Sequence, residues 1–476
     1  MNLPAPMSFR RALSTLHVPR ALLEQTGWAT LGYGMTQIVR LASTVILTRL
    51  LAPELFGVMV LLTSLAIGLE LFSDIGIGQS VIASKRTREP LFYNTAWTLQ
   101  LLRGLLLGVV VLLILPLLRT IYDDRALDNV LPVLSVFLLL TSARSIGNTI
   151  AVKEIRTKRI AAFDAGCAIA QALLSIAAVI VSPTIEGLLV GQFLGSIFVA
   201  AASYPVFGDN LRLRLTLDRA SIGELISFGK WIFLSSIIFF LSGYLDRLLL
   251  GSYVTLAALG IYGIARSLSD VVGQFGTRLS NAIIFPKIAS ADVRGVELRQ
   301  RLVGRRLQFL GLIAAATAAL MVLSQPVVTI LYDPRYIEAA RVLPWMALAI
   351  WLGVINTVSD SLALGVAKPR VSVIGNAVKL AALACLLPWG IATAGIIGAA
   401  GAGVAAEMAR YLALSWGLFR ERLSFVRQDI VLTAILLGSV LAVYAILRLA
   451  MPEWFSIPLF GGWDGDALAG AIARRP

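Results

Sequence analysis

Residues 104–118 read Gly104-Leu105-Leu106-Leu107-Gly108-Val109-Val110-Val111-Leu112-Leu113-Ile114-Leu115-Pro116-Leu117-Leu118, a run without a single polar side chain. They belong to an apolar stretch at 92–118, longer than the roughly 20 helical residues that cross about 30 Å of hydrocarbon. The stretch has no period-two alternation, so it is a helix that closes its own backbone hydrogen bonds and not a barrel strand. Twelve more stretches of this kind fill the chain, at 27–48, 55–80, 129–150, 161–182, 185–206, 228–250, 256–283, 307–331, 341–366, 370–391, 396–419 and 429–450. The 476 residues are 58% hydrophobic and 14% charged, with a mean hydropathy of +0.84, well above the roughly 45–50% apolar content of a soluble domain. The fold class is all-α, a polytopic membrane protein. Its loops are too short to fold as domains, which excludes an attached soluble catalytic module.

The formal charge of +14 does not point to nucleic acid, because the basic residues are dispersed among loops and are not gathered on one face. They alternate: the N-terminus with Arg10, Arg11 and Arg20, then 85–88, 153–159, 212–230, 287–306, 368–370 and 420–427 are basic. The intervening loops near Pro53, Asp123, Glu186, Thr255, Tyr332, Gly395 and Pro452 are not. Positive-inside topology explains this and places the N-terminus in the cytoplasm. The N-terminal segment does not read as a cleaved signal peptide. Cys167 and Cys385 both fall in apolar spans and His17 is the single histidine, so no disulfide framework or metal site is expected and any proton carrier must be a carboxylate. The stretch 293–307, where Val293, Val296, Leu298, Leu302 and Leu307 alternate with arginines, is either an amphipathic helix on the anionic inner leaflet or a solvated loop.

Compared with itself, the chain repeats. Thr48-Arg49-Leu50-Leu51 followed by Leu55-Phe56-Gly57 returns as Asp246-Arg247-Leu248-Leu249 followed by Ala258-Leu259-Gly260, in the same orientation. Two pseudo-symmetric six-helix bundles follow, related by an axis along the membrane normal. The expected organisation is a cytoplasmic segment at 1–26, bundles at 27–206 and 228–419 joined by a cytoplasmic linker at 207–227, and one or two extra helices in 420–476. Residues 454–473 include Asp464 and Asp466, a poor span, so the total is thirteen or fourteen helices.

The repeated hairpin is also where the chain resembles a known family. Thr48-Arg49-Leu50-Leu51-Ala52-Pro53-Glu54-Leu55-Phe56-Gly57, Glu70-Leu71-Phe72-Ser73-Asp74-Ile75-Gly76-Ile77-Gly78, Leu245-Asp246-Arg247-Leu248-Leu249-Leu250-Gly251 after Phe228-Gly229-Lys230, and Leu259-Gly260-Ile261-Tyr262-Gly263-Ile264-Ala265-Arg266 are similar in order and spacing to the polysaccharide transporters. Those flip lipid-linked oligosaccharides within the multidrug, oligosaccharidyl-lipid and polysaccharide exporter superfamily. The resemblance implies a bacterial inner-membrane flippase for exopolysaccharide, O-antigen or capsule synthesis. It implies an undecaprenyl-diphosphate-linked oligosaccharide as cargo, with glycosyltransferases acting before it and a polysaccharide polymerase after.

A flippase for a diphosphate lipid needs fixed cations in a water-filled cavity, and ionisable groups at membrane depth cost about 2.5–3.5 kcal/mol each, so they are functional candidates. Arg40, Arg144, Arg266, Arg278, Lys379 and Arg410 lie away from span ends and form the expected substrate-binding set, arginine being suited to bidentate phosphate contact. The opposite reading is that they neutralise carboxylates: Arg266 is four residues from Asp270, and Arg410 three from Glu407. Glu70, Asp74, Asp360 and Glu407 are the candidates for coupling to H+ or Na+, with no other cofactor expected; capping or pairing is the plainer role for Asp74. Two further functions stay open. A multidrug and cation exporter of the same superfamily would present a carboxylate-dominated cavity, and a membrane polysaccharide polymerase would need a long outer loop, which this chain lacks.

Overall fold

The computed structural model describes residues 20–122, 130–208, 211–280, 288, 293, 295–366 and 368–461. Among them the regular elements are helices: α1 (Arg20–Leu50), α2 (Pro53–Phe72), α3 (Ile77–Ala83), α4 (Pro90–Ile121), α5 (Val133–Ser142), α6 (Gly147–Lys153), α7 (Thr157–Val181), α8 (Ile185–Phe207), α9 (Arg219–Tyr253), α10 (Leu256–Leu279), α11 (Gly295–Val322), α12 (Ser324–Leu331), α13 (Ala339–Gly365), α14 (Pro369–Arg420) and α15 (Val426–Ala450), with a short 3-10 turn at Pro334–Tyr336. Their starts are written in the sequence. Pro53, Pro90 and Pro369 open α2, α4 and α14, where a missing N–H costs nothing. Thr184, Asp218 and Thr255 cap α8, α9 and α10 by accepting the N–H of Gly187, Ser221 and Ala258.

Nine of the described helices are long and apolar enough to cross a membrane, and α5 and α6, bent by 51° at their junction, are so when taken together. α14 has 52 residues, about 78 Å if straight, more than twice the hydrocarbon thickness. It is two spans. The backbone reverses at Ala394 and Gly395, where Gly395 has φ 55° and ψ −132°, a conformation open to glycine. The arms then lie against each other: a Cβ on Gly398 would stand 1.8 Å from the Gly390 carbonyl oxygen, Gly375 faces Leu414, and Gly417 faces Val371. The expected spans 370–391 and 396–419 are these arms.

Three spans expected to be continuous are interrupted. The stretch 55–80 breaks at residues 73–76, where Gly76 takes φ 67° and its N–H donates to Asp74 Oδ1 at 2.9 Å. The stretch 129–150 breaks at residues 143–146. Backbone groups freed at membrane depth must find protein partners, and these do: Gln100 Nε2 donates to the carbonyls of Ser142 and Arg144 at 2.7 and 3.1 Å, Tyr204 to that of Ala143 at 2.6 Å, and the Ser145 N–H donates to Ser203 Oγ at 2.8 Å. Leu323 divides 307–331 into α11 and α12. In turn, α11 begins at Gly295, so the described part of 293–307 is mainly a helical extension of a span, not a loop. Leu298, Leu302 and Arg306 are buried on one face, with Val296, Val303 and Leu307 exposed on another. Arg306 and Asp429 pair at 2.6 Å, both nearly fully buried, and tie α11 to α15. Residues 451–461 form turns; the rest of the candidate fourteenth span, and the N-terminal residues through His17, lie outside the described residues.

The largest apolar cluster crosses between the two repeats. It joins Leu51, Leu61, Tyr122, Leu131 and Leu188 to Leu250, Leu259, Tyr332, Tyr336 and Ile396, all near the loops poor in basic residues. Smaller clusters lie within 288–459, 66–138 and 151–207, and one near the basic loops packs Leu225 of α9 against Ile77, Val81, Phe92 and Ile150. The repeats are thus packed most extensively on each other near the loops poor in basic residues, and near the basic loops they meet through α9 and the segment before it. The N–H groups of Arg214, Thr216 and Asp218 donate to Asn94 Oδ1, Thr98 Oγ1 and Thr95 Oγ1 at 2.9, 3.0 and 3.1 Å, strapping the segment before α9 onto α4.

Two consequences are measurable by thermal unfolding in detergent. Gln100→Leu leaves the Ser142 and Arg144 carbonyls without their donor, and each lost partner costs about 1–3 kcal/mol, so the melting temperature falls by several degrees. Gly398→Ala, which drives a methyl into the Gly390 carbonyl, is strongly destabilising, whereas Gly401→Ala, with open space at its Cβ, is neutral or slightly stabilising.

Candidate functional site

α1 has two faces. Trp28, Leu31, Met35 and Ile38, spaced three and four apart, are exposed apolar residues suited to lipid. Tyr33 and Arg40 stand on the opposite side, and the Tyr33 hydroxyl donates to Gln274 of α10. Arg278, one turn further along α10, lies with its guanidinium 3.5 Å from the centre of the Tyr33 ring. Arg40 is within electrostatic reach of Tyr33 and of Asp164 on α7, and Asp164 also feels Arg144. Arg144 itself sits in the break between α5 and α6, its Nε buried without a hydrogen-bond partner. Arg40 and Arg144 from the first repeat and Arg278 from the second thus gather around α1, α7 and the end of α10, and none of the three forms an ion pair among the described residues.

The other three expected cations are committed to carboxylates. Arg266 Nε bonds Asp270 at 3.0 Å and its NH1 lies 3.5 Å from Asp246, while Arg247 lies 3.6 Å from Asp270. Tyr262 donates to Asp246 at 2.6 Å. This group of two acids and two bases is neutral as a whole. A second neutral group joins α13 to α14. Lys379 meets Glu407 at 2.6 Å, Arg410 lies 3.6 Å from Glu407 and bonds Asp360, and Asn356 and Ser372 donate to Glu407 and Asp360, each at 2.8 Å.

The acids of α2 differ from one another. Asp74 stays within the helix break, accepting the Gly76 N–H and lying 3.8 Å from Arg103. Arg103 also donates to Ser73 Oγ and to the Glu70 carbonyl, both at 3.0 Å. The Glu70 carboxylate has no cation within ion-pair distance among the described residues. It accepts from Thr141 at 2.8 Å and forms part of the wall of a cavity of ≈ 240 Å³, otherwise lined by Thr63, Gln192 and apolar side chains such as Phe137 and Phe193.

Sequence reasoning missed Tyr33, Arg103, Asp164 and Gln274. A signal existed for one of them: Arg266, Asp270, Gln274 and Arg278 recur every four residues, a continuous polar stripe on α10. Asp164 and Arg103 meet their partners only through the packing of α7 and α4. Chemically, these three guanidinium groups stay charged and are shaped to bind planar oxyanions, while the ion-paired groups hold helices to each other.

Comparison with known proteins places this architecture. The chain is 22% identical to the lipopolysaccharide biosynthesis protein WzxC of Escherichia coli (strain K12) over 346 residues, 72% of this chain and 68% of that one. Its fold is similar to that of the lipid II flippase MurJ in an inward closed conformation, with a TM-score of 0.72 at 11% identity over 91% of this chain and 96% of that one. It is also similar to a multidrug resistance MATE family transporter in an inward-facing conformation, with a TM-score of 0.61 at 15% identity over 81% and 94%. The chain thus has the polytopic transporter fold shared by these proteins. A family model described as polysaccharide biosynthesis protein matches residues 46–341, more than half of the chain, and the protein belongs to that family.

Proposed function

We propose that this protein is a flippase that carries a lipid-diphosphate-linked oligosaccharide across a bacterial inner membrane by alternating access of its two repeats. The observation that carries this reading is the split among the deep cations. Arg266, Lys379 and Arg410 are neutralised by acids within the second repeat, whereas Arg40, Arg144 and Arg278 are left for an anion arriving in the cleft. Moving phosphate charge through hydrocarbon without such groups is prohibitive. The sugar head occupies the cleft and the polyprenyl chain stays in the bilayer. Positive-inside placement of the basic loops sets the open end of the cleft toward the cytoplasm, where glycosyltransferases supply the cargo, and a polymerase takes it on the other side. Names of similar proteins support the direction: one is called a lipopolysaccharide biosynthesis protein and another a lipid II flippase.

A second feature bears on energy coupling. Glu70 is a mid-span carboxylate bordering a mainly apolar cavity, held by a hydroxyl and not by a cation, which suits reversible capture of H+ or Na+. The same feature is what the competing cation-exporter reading would use.

The test is flipping of a fluorescent polyprenyl-diphosphate oligosaccharide in proteoliposomes. Arg40→Ala and Arg144→Ala each lower the rate at least about tenfold, the equivalent of one charge-assisted hydrogen bond of roughly 1.5–3 kcal/mol, with little change in melting temperature. Arg410→Ala does the reverse in emphasis: it leaves Asp360 unpaired and Glu407 with one cation fewer, a change that costs about 3–5 kcal/mol of stability for a buried pair. Export of organic cations without movement of the diphosphate lipid would replace the flippase by the drug exporter.

A further inference from the structure

The two copies of the internal repeat touch each other, and they do so through glycine. A Cβ on Gly57 of α2 would lie 1.8 Å from the Leu256 carbonyl oxygen, and a Cβ on Gly260 of α10 would lie 2.1 Å from the Pro53 carbonyl oxygen. Gly57 and Gly260 are the equivalent residues of the two copies, Leu55-Phe56-Gly57 and Ala258-Leu259-Gly260. Each faces the residue four positions before the other, as a two-fold relation requires of a self-complementary contact. Both contacts are backbone to backbone, so no rotation of a side chain relieves an added methyl group. One turn further in, the next glycine, Gly263, meets only the side chain of Val60, and further still α10 turns its polar stripe to α1. Backbone thus meets backbone at the Gly57 and Gly260 crossing, and side chain replaces it one turn further in. The surroundings are dry and aromatic: Tyr336 packs edge-on against Phe56 at 5.8 Å and donates to the Leu51 carbonyl at 3.2 Å.

We infer that Gly57 and Gly260 form a state-specific seal, a backbone contact that exists only while the repeats are closed at the end opposite the basic loops and that separates when the cleft opens there. This rests on the alternating-access reading but not on the identity of the cargo. Alanine at either position excludes the closed arrangement and leaves the oppositely open one as the state that accommodates the methyl, a population shift set by the difference in fit to the two states.

The experiment uses the full-length protein with Cys167 and Cys385 replaced by Ala and a single reporter, Ser64→Cys, seven residues beyond Gly57 and buried. A membrane-impermeant maleimide is applied from the side of the Pro53 and Thr255 loops. Gly57→Ala and Gly260→Ala raise the labelling rate by about tenfold or more and abolish transport. Gly243→Ala, a helical glycine with open space at its Cβ, labels and transports like the parent. The proposal is overturned if both seal variants label and transport like the parent. It is equally overturned if both fail to accumulate as monodisperse protein while Gly243→Ala does, since the contact would then belong to the fold in every state. Labelling reads the seal whatever lipid is carried, so its failure is separable from failure of the flippase assignment.

Discussion

A charge at the centre of a bilayer is expensive unless another charge, a hydrogen-bond network or water compensates it, and the interior of this protein is organised around that cost. In the second repeat the answer is pairing. Asp246, Arg247, Arg266 and Asp270 form one neutral group, and Asp360, Lys379, Glu407 and Arg410 another. For Arg40, Arg144 and Arg278 the answer is different: an aromatic face, a helix break and, for the first two, Asp164 lie near them, but no salt bridge is formed among the described residues. Guanidinium groups without a carboxylate partner are suited to receive an anion, the property that the proposed carriage of phosphate calls for.

Irregular backbone serves the same arrangement. Arg144 lies within the break at 143–146, and Gln100, Tyr204 and Ser203 satisfy the freed backbone groups there. The break at 73–76 does the equivalent for Glu70 and Asp74, with Arg103 bonding the carbonyl of one and facing the carboxylate of the other. Elsewhere the helices approach closely through glycine, as in the hairpin of α14 and the crossing of α2 with α10.

Much of the architecture was legible in the sequence because hydropathy over a 20-residue window is a collective signal. The described parts of the thirteen expected spans fall largely on helix, and the repeat seen in Leu55-Phe56-Gly57 and Ala258-Leu259-Gly260 proves to be a physical contact. The breaks were not legible: Gly76 announces a weak point, but the partners that stabilise residues 143–146 come from α4 and α8, distant in sequence. The candidate site was half legible. Apolar context picks out the deep cations, yet spacing along one helix recovers only the Arg266 and Asp270 pair and the Glu407 and Arg410 pair. That Lys379 meets Glu407, or that Arg144 shares Asp164 with Arg40, depends on how helices pack.

Photo-cross-linking with a polyprenyl diphosphate bearing a diazirine next to the phosphates tests most directly whether the unpaired cations receive the lipid. The account predicts adducts on α1 near Arg40, at the break around Arg144 and at the end of α10 near Arg278, all competed by unlabelled diphosphate lipid. Adducts concentrated around Lys379 and Arg410 on α14, or a pattern that the competitor leaves unchanged, would contradict it.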